Sequence, residues 1–168
     1  FRDPERFPIN DENYLLSPAD GVISQITEIN GPEDLGLENK KFTRVSIFMN
    51  VFDCHVNRVP SSGKVTQIFY KPGEYINASL DKASEKNERN YVKMINKNGD
   101  ELVLVQIAGL IARRIVCEKN ENDEVSQGNR FGMIRFGSRV DLYFENYQLM
   151  VNINQKTIGG ETILAKKK

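Results

Sequence analysis

A serine that directly follows a glycine is the first candidate for chemistry in this sequence. Gly137 and Ser138 lie between two segments of alternating apolar residues, 131–134 and 140–144, which both predict β-strands. A tight turn or bulge is the structural interpretation, because glycine adopts backbone conformations that other residues avoid. The chemical interpretation is that the Ser138 hydroxyl is a nucleophile directed at the Gly137 carbonyl, which it reaches because the residue before it has no side chain. Both interpretations are open at this point.

A serine nucleophile needs an acid-base partner, and the chain contains a single histidine. His55 is the side chain whose unperturbed pKa lies near neutrality, and a structural hydrogen-bonding role is its alternative. Asp20 is a candidate carboxylate in a Pro-Ala-Asp-Gly turn, where aspartate commonly accepts hydrogen bonds from its own backbone. The sequence therefore offers one acid-base candidate and one carboxylate candidate.

Four arginines are candidates for binding an anionic substrate, with solvated surface charge as the alternative for each. They are Arg58, Arg113, Arg114 and Arg139. The adjacent pair at 113–114 follows the apolar run 102–111, and a guanidinium placed there favours a carboxylate or phosphate partner. No Gly-rich phosphate loop, paired-carboxylate motif or nucleophile elbow is present in the sequence.

Composition narrows the class of protein. The chain has 168 residues, 39% of them hydrophobic and 27% charged, which indicates one globular domain over 1–168 rather than a disordered chain. Basic and acidic residues both number 23, so charge gives no reason to expect nucleic acid. Cys54 and Cys117 lack metal-ligand spacing and, with one histidine, argue against a metal site. We expect both cysteines to be reduced and buried among apolar residues.

Membrane and targeting signals are absent from the sequence given. No apolar run approaches the roughly eighteen residues that a membrane span needs, and no secretory signal pattern is present. The chain begins with Phe1 rather than methionine, so we expect a fragment or a processed product. An N-terminal membrane anchor outside this sequence stays open.

The pattern of elements predicts a mainly β fold. Residues 1–16 predict an irregular arm, and alternating segments predict strands at 22–26, 42–49, 63–68, 91–96 and 101–108. Asn98-Gly99 predicts a hairpin turn between the last two. Residues 77–90 lack β-branched side chains and predict a short helical or loop excursion.

A weak repeat of strand, polar turn and short strand predicts how these elements assemble. Its three units begin near residues 63, 115 and 149. Such units build a small barrel or sandwich of bent hairpins, which resembles the flattened barrels of lipoyl and biotinyl domains. No unit carries the lysine to which those domains attach their cofactors.

Six segments, taken in order along the chain, carry a resemblance to a known family. They are residues 1–6, 17–21, 50–60, 77–85, 106–115 and 130–143. The Pro-Ala-Asp-Gly turn alone is a common pattern, whereas six ordered segments that end in Phe-Gly-Ser are specific. On these segments the chain resembles phosphatidylserine decarboxylases of the short bacterial type, over almost its whole length.

The resemblance implies an enzyme that makes its own prosthetic group by cutting its backbone. The Ser138 hydroxyl would attack the Gly137 carbonyl and convert the amide to an ester. β-Elimination and hydrolysis would then leave a pyruvoyl group and ammonia. The products would be a β chain of residues 1–137 and an α chain of residues 138–168.

The same resemblance implies decarboxylation of phosphatidylserine to phosphatidylethanolamine and carbon dioxide. The substrate amine would form a Schiff base with the pyruvoyl carbonyl, which accepts the electrons released as carbon dioxide leaves. Family members use an Asp-His-Ser arrangement for self-cleavage, which implies Asp20, His55 and Ser138 here. His55 is also expected to protonate the carbanion left by decarboxylation.

Two positions depart from the longer relatives. Those carry His-x-x-His before a proline, with separate histidines for self-cleavage and decarboxylation. Aligned on Pro60, His55 matches the first histidine and Arg58 stands at the second. Either His55 serves both steps, or another group assists one of them. Arg139 stands where the longer forms have threonine, as is usual in the short type.

The lipid substrate implies contact with a membrane surface. We expect the chain at the cytoplasmic face of the bacterial cell membrane, either peripheral or anchored by an N-terminal segment outside this sequence. The β and α chains are expected to stay associated, homo-oligomers stay open, and neither nucleic acid nor metal is an expected partner. The alternative functions are decarboxylation of another serine-headed lipid or a soluble amino acid, and a non-enzymatic lipoyl-like domain.

Overall fold

A computed structural model of the chain describes residues 3–50, 53–80, 82–110, 114–134 and 137–168. The predicted mainly β fold is confirmed, as a curled eight-strand half-barrel with two smaller sheets and one short helix. The elements are β1 (Tyr14–Leu16), β2 (Gly21–Asn30), a 3-10 turn (Glu33–Leu35), β3 (Lys41–Met49), β4 (Val56–Arg58), β5 (Gly63–Lys71), α1 (Ala83–Lys86), β6 (Arg89–Asn96), β7 (Glu101–Ile107), β8 (Ile115–Cys117), β9 (Glu124–Val125), β10 (Arg130–Ile134), β11 (Ser138–Phe144), β12 (Tyr147–Leu149), β13 (Lys156–Thr157) and β14 (Ile163–Lys167).

Antiparallel pairing joins these strands into three sheets. The large sheet has the order β13-β2-β3-β11-β7-β6-β5-β9, and the small sheets have the orders β1-β14-β12 and β4-β10-β8. Strand β11 therefore lies inside the large sheet, between β3 and β7, although it is distant from both in sequence. Within the described residues, no helix reaches the length and hydropathy that crossing a bilayer demands.

The sequence pattern located most strands to within a few residues. The predicted turn at Asn98-Gly99 joins β6 to β7, with Gly99 at a φ of 82° in the left-handed region. The predicted excursion at 77–90 contains only one helical turn, and β6 already begins at Arg89. The predicted irregular arm ends in a strand, because Tyr14–Leu16 pairs with the remote C-terminal strand β14. A partner so far along the chain leaves no local signal.

Strand β11 is buried on both faces. On one face Val140, Leu142 and Phe144 belong to the larger hydrophobic core. On the other face Arg139 and Asp141 are fully buried charged residues. A strand of an open sheet commonly exposes one face to water, so the second face of β11 must be covered by another part of the chain.

A buried ion pair connects β11 to the segment that covers it. The Arg139 guanidinium donates to both carboxylate oxygens of Asp141, at 2.9 and 3.0 Å. Its third nitrogen donates to the carbonyls of Ala78 and Leu80, at 3.2 and 3.0 Å. The pair therefore holds the start of the 77–90 excursion against the centre of the large sheet.

We predict that Arg139→Met lowers the free energy of unfolding by about 3–5 kcal/mol, because it leaves the Asp141 carboxylate buried without its bidentate partner. Arg130→Met is the matched control, since Arg130 forms an ion pair with Glu118 at the surface and such pairs contribute about 0–1 kcal/mol. Urea unfolding of both variants in the uncleavable Ser138→Ala background measures the difference. Equal losses in the two variants would contradict the structural role of Arg139.

Candidate active site

The candidate scissile bond lies at the point where the chain enters the centre of the large sheet. Ser138 is the first residue of β11 and pairs with Met49, the last residue of β3. The Gly137 amide donates to the Met49 carbonyl at 2.7 Å. Gly137 has a φ of 76°, and a Cβ added there would meet no atom within 4 Å. The backbone conformation, rather than lack of space, therefore requires glycine before the serine.

The Ser138 side chain is fully buried. Its hydroxyl lies 3.8 Å from the sulfur of Met49, whose side chain is also fully buried. A hydroxyl in such surroundings is shielded from water, which would otherwise compete with an intramolecular nucleophile. The site thus holds the hydroxyl in a dry position directly beside its own peptide bond.

A chain of buried polar side chains continues from Met49 across the neighbouring strands. The Asn57 amide nitrogen lies 3.9 Å from the Met49 sulfur, and Gln106 donates to the Asn57 oxygen at 3.0 Å. Asn90 in turn donates to the Gln106 oxygen at 3.1 Å. Buried amides with satisfied hydrogen bonds fix one arrangement of the strands that carry them. Because Asn57 lies on β4, this chain ties β4 to the end of β3 that faces Ser138.

His55 directly precedes β4 and is half-buried, with its Nε2 atom inside the protein. Its carbonyl accepts a hydrogen bond from the Ile134 amide at 3.1 Å. Ile134 ends β10, three residues before Gly137. The structure therefore brings the segment of His55 to the same end of the fold as the candidate scissile bond.

Asp20 directly precedes β2, at the same end of the large sheet. The register pairs Val22 with Phe48, so Asp20 lies two strands away from β11, or about 10 Å at the usual strand spacing. One carboxylate oxygen accepts from Arg6 at 2.8 Å and the other from the Gly159 amide at 2.7 Å. The local-turn interpretation of Asp20 is thus replaced by contacts with remote segments. Its pairing with His55 stays a prediction.

Arg58 links β4 to the N-terminal arm. Its guanidinium donates to the carboxylate of Asp3 at 2.9 Å and to the carbonyls of Pro4 and Gly128, at 2.9 and 3.0 Å. Its backbone amide donates to the Pro18 carbonyl at 2.8 Å, which joins β4 to the turn that carries Asp20. The Arg58 side chain therefore anchors the N-terminal arm. A substrate contact by Arg58 stays a prediction.

The other arginines differ in their surroundings. The described hydrogen bonds of Arg139 go to Asp141 and to the covering segment. A substrate contact by Arg139 would therefore require that segment to move. Arg114 is exposed and lines a cavity of about 330 Å³ together with Val116 and Met133. Arg113 lies outside the described residues. Arg114 is therefore the described arginine candidate that is open to a ligand.

The remaining candidates for metal or thiol chemistry are the two cysteines, of which Cys54 directly precedes His55. Cys54 is buried as predicted, whereas Cys117 is only half-buried, because it ends β8, the edge strand of a small sheet. The reduced state of both thiols stays a prediction. Burial raises the pKa of the Cys117 thiol, so the group stays protonated at neutral pH. No cluster of three or more histidine, cysteine or carboxylate side chains lies close enough to hold a metal within the part of the chain that the structure describes.

The sequence pattern did not indicate the chain of buried polar side chains. It also did not indicate that Gly109 lies beside the candidate scissile bond. Gln106 did leave a signal, because it interrupts the apolar run 102–111. Asn57 gave none that separates it from an ordinary loop asparagine. Gly109 lies in the same run, but its position opposite Gly137 appears only in the structure. These residues become informative once the strand register is known.

Comparison with known proteins identifies the family of this chain. A family model described as phosphatidylserine decarboxylase matches residues 1–165. A phosphatidylserine decarboxylase proenzyme of Pelagibacter ubique (strain HTCC1062) is 66% identical over 167 residues, which cover 99% of this chain and 78% of the relative. Proteins of the same name from Rickettsia typhi and Rickettsia prowazekii are 54% identical, over 98% of this chain and 72% of each relative. The chain therefore belongs to the phosphatidylserine decarboxylase family, a family of carboxy-lyases.

Proposed function

We propose that this chain is a precursor that cuts its own Gly137–Ser138 bond and then decarboxylates phosphatidylserine to phosphatidylethanolamine and carbon dioxide. The observation that carries the proposal is the placement of Ser138. Its hydroxyl is buried at the first position of a central strand, directly after a glycine in the left-handed region. The name proenzyme, borne by the relatives, supports a processing step.

Self-cleavage begins with an isomerisation of the backbone. The Ser138 oxygen forms a bond to the Gly137 carbonyl carbon, the C–N bond breaks, and the hydroxyl proton ends on the freed nitrogen. The amide becomes an ester without loss of atoms. β-Elimination then releases the carboxylate of Gly137, and hydrolysis of the dehydroalanine at position 138 gives a pyruvoyl group and ammonia. Burial of the serine in a dry site favours this intramolecular attack over competing hydrolysis.

The proton transfers require a base, and we assign this role to His55. An unactivated serine hydroxyl is a weak nucleophile, and histidine is the residue that most often activates it. The segment of His55 is hydrogen-bonded to Ile134, just before the scissile bond, which supports this assignment. Asp20 is proposed to orient or charge the imidazole, because its carboxylate retains acceptor capacity beyond its bonds to Arg6 and Gly159.

The surroundings of residue 138 fit a pyruvoyl group. When present, this group supplies an electron-accepting carbonyl for an amine substrate that loses carbon dioxide. The flat, small group fits where the serine side chain is buried, beside the methionine sulfur of residue 49. The surrounding chain excludes water, and His55 is proposed to deliver a proton to the substrate after decarboxylation.

The anionic headgroup of the lipid is proposed to bind at the arginine pair 113–114. Arg114 lines the cavity of about 330 Å³ beside β8 and β10, and Arg113 precedes it in the sequence. A guanidinium binds a phosphate or carboxylate through two parallel hydrogen bonds. The lipid substrate places the enzyme at a membrane surface, and we propose the cytoplasmic face of the bacterial cell membrane. The cut chains are proposed to remain one complex.

We predict that Ser138→Ala abolishes both chain cleavage and carbon dioxide release, because it removes the nucleophile and the source of the pyruvoyl group. Intact-mass spectrometry should find two chains in the unaltered protein and one chain in the variant. Ser126→Ala, at an exposed serine in the loop after β9, is the control and should be cut normally. Unaltered protein that remains a single uncleaved chain and still decarboxylates phosphatidylserine would contradict the proposal.

We predict that His55→Gln slows self-cleavage by about 10²–10⁴-fold, the range that a general base contributes. Arg58→Gln should change cleavage far less, because its guanidinium anchors the N-terminal arm instead of facing Ser138. Time courses of cleavage after cell-free synthesis measure both rates. A large loss in Arg58→Gln with little change in His55→Gln would transfer the role of the base away from His55.

Substrate assays separate the proposed function from its alternatives. Carbon dioxide release from phosphatidylserine, from lysophosphatidylserine and from free serine shows which substrate the enzyme accepts. Reductive trapping with borohydride in the presence of a labelled amine substrate labels the α chain only if a carbonyl is present. Absence of both trapping and release would favour the non-enzymatic lipoyl-like domain.

A further inference from the structure

Gly109 lies directly opposite the candidate scissile bond. It follows β7 by two residues, and the register of β7 with β11 pairs Ile107 with Arg139. One step further along the two chains Ala108 comes opposite Ser138, and a second step brings Gly109 opposite Gly137. The scissile bond is thus flanked by the end of β3 on one side and by the continuation of β7 on the other.

The carbonyl of Gly137 occupies the space where a side chain at position 109 would lie. A Cβ added to Gly109 would be 1.8 Å from the Gly137 carbonyl oxygen and 2.9 Å from its carbon. Gly109 is not among the described residues with positive φ, so its backbone conformation does not require glycine. Space alone requires it, and the group that takes this space is the electrophile of the proposed cleavage.

Neither side of this contact is free to yield. The Gly137 amide is held by the Met49 carbonyl at 2.7 Å. On the other side, the amide of Ala108 donates to the Glu88 carbonyl at 3.0 Å, and its carbonyl accepts from the Asn87 side chain at 2.6 Å. A side chain at position 109 would therefore displace the Gly137 carbonyl or break one of these bonds.

The segment that covers β11, at residues 78–80, packs against the contact between Gly109 and Gly137 from a third side. The methyl group of Ala78 lies 3.4 Å from the position of a Cβ on Gly109. The Ala78 carbonyl is held by Arg139, the residue that follows the serine. The buried ion pair of β11 thus supports the wall against which Gly109 and the scissile carbonyl pack.

We propose that Gly109 is a positioning residue for self-cleavage, because its missing side chain lets the Gly137 carbonyl oxygen pack against the chain and so fixes the orientation of the carbonyl that Ser138 attacks. This inference rests on the proposed self-cleavage and assigns a residue to its first step. The Ser138 oxygen must approach the carbonyl carbon from above the amide plane, and rotation of that plane moves the carbon off line. Misplacement of reacting atoms by about 1 Å costs on the order of 100-fold in rate.

The test compares two glycine-to-alanine variants with the same kind of steric conflict. Gly109→Ala places a methyl group against the Gly137 carbonyl. Gly63→Ala places one 2.2 Å from the Ile95 carbonyl, on β5 and away from the site. Cleavage after cell-free synthesis and thermal unfolding are measured for both variants and for the unaltered chain. We expect Gly109→Ala to be cut at least about 100-fold more slowly, and Gly63→Ala to be cut at nearly the normal rate despite its own loss of stability.

Hydroxylamine identifies the step that is lost. It cleaves an ester between Ser138 and Gly137 but leaves the amide intact, so it should speed cutting of the unaltered precursor. In Gly109→Ala it should have no effect, because the ester does not form. Normal cleavage of Gly109→Ala, or equal slowing of both alanine variants, would overturn the proposal. If the unaltered chain is never cut, the proposed function itself fails, which is a different outcome.

A crystal structure of the uncleavable Ser138→Ala variant provides a second measurement that does not depend on the folding of Gly109→Ala. It should show the Gly137 carbonyl oxygen packed against the α-carbon of Gly109. A carbonyl that points away from Gly109 in that structure would also overturn the proposal.

Discussion

The pairing of β11 with both β3 and β7 is the constraint on which the site depends. Pairing with β3 begins at Ser138 and pairing with β7 begins at Arg139, so Ser138 cannot move independently of the sheet. Gly137 directly precedes the strand and has a φ in the left-handed region, so the chain turns sharply just before the serine. The geometry of the candidate site is therefore a property of the sheet rather than of a flexible loop. Sites built on strands hold reacting groups more closely than sites built on loops.

Burial of both faces of β11 gives this constraint its energetic basis. Three apolar side chains enter the larger core on one face, while a buried arginine and a buried aspartate occupy the other. Buried ion pairs contribute little net stability compared with apolar packing, but removal of one partner leaves a buried charge uncompensated and is strongly destabilising. The Arg139 guanidinium reaches carbonyls of the covering segment as well as Asp141. The charge on the strand therefore specifies where that segment lies.

The sequence was most informative where the pattern is local. Alternation predicted β3 and β7, and the Asn98-Gly99 pair predicted the hairpin that joins β6 to β7. Ser138 became a candidate because a glycine directly precedes it. The surroundings of the charged residues were not predictable. Arg139 was a candidate for substrate binding because of its charge, whereas its guanidinium donates to Asp141 and to the carbonyls of Ala78 and Leu80, which are far away in sequence. Such contacts depend on how remote segments fold over the sheet, and neither periodicity nor composition records that.

Strand β11 also determines what kind of molecule the cut chain would be. The proposed α chain contributes β11 to the middle of the large sheet, β13 to its edge and β14 as the partner of β1. Neither product could keep its sheets without the other, so the mature protein would keep the sheets that the uncut chain formed. After unfolding, the two chains would have to reassociate in a bimolecular reaction, so the stability of the protein would vary with its concentration. Maturation would thus replace the folding of a single chain by a reaction that also requires two chains to associate.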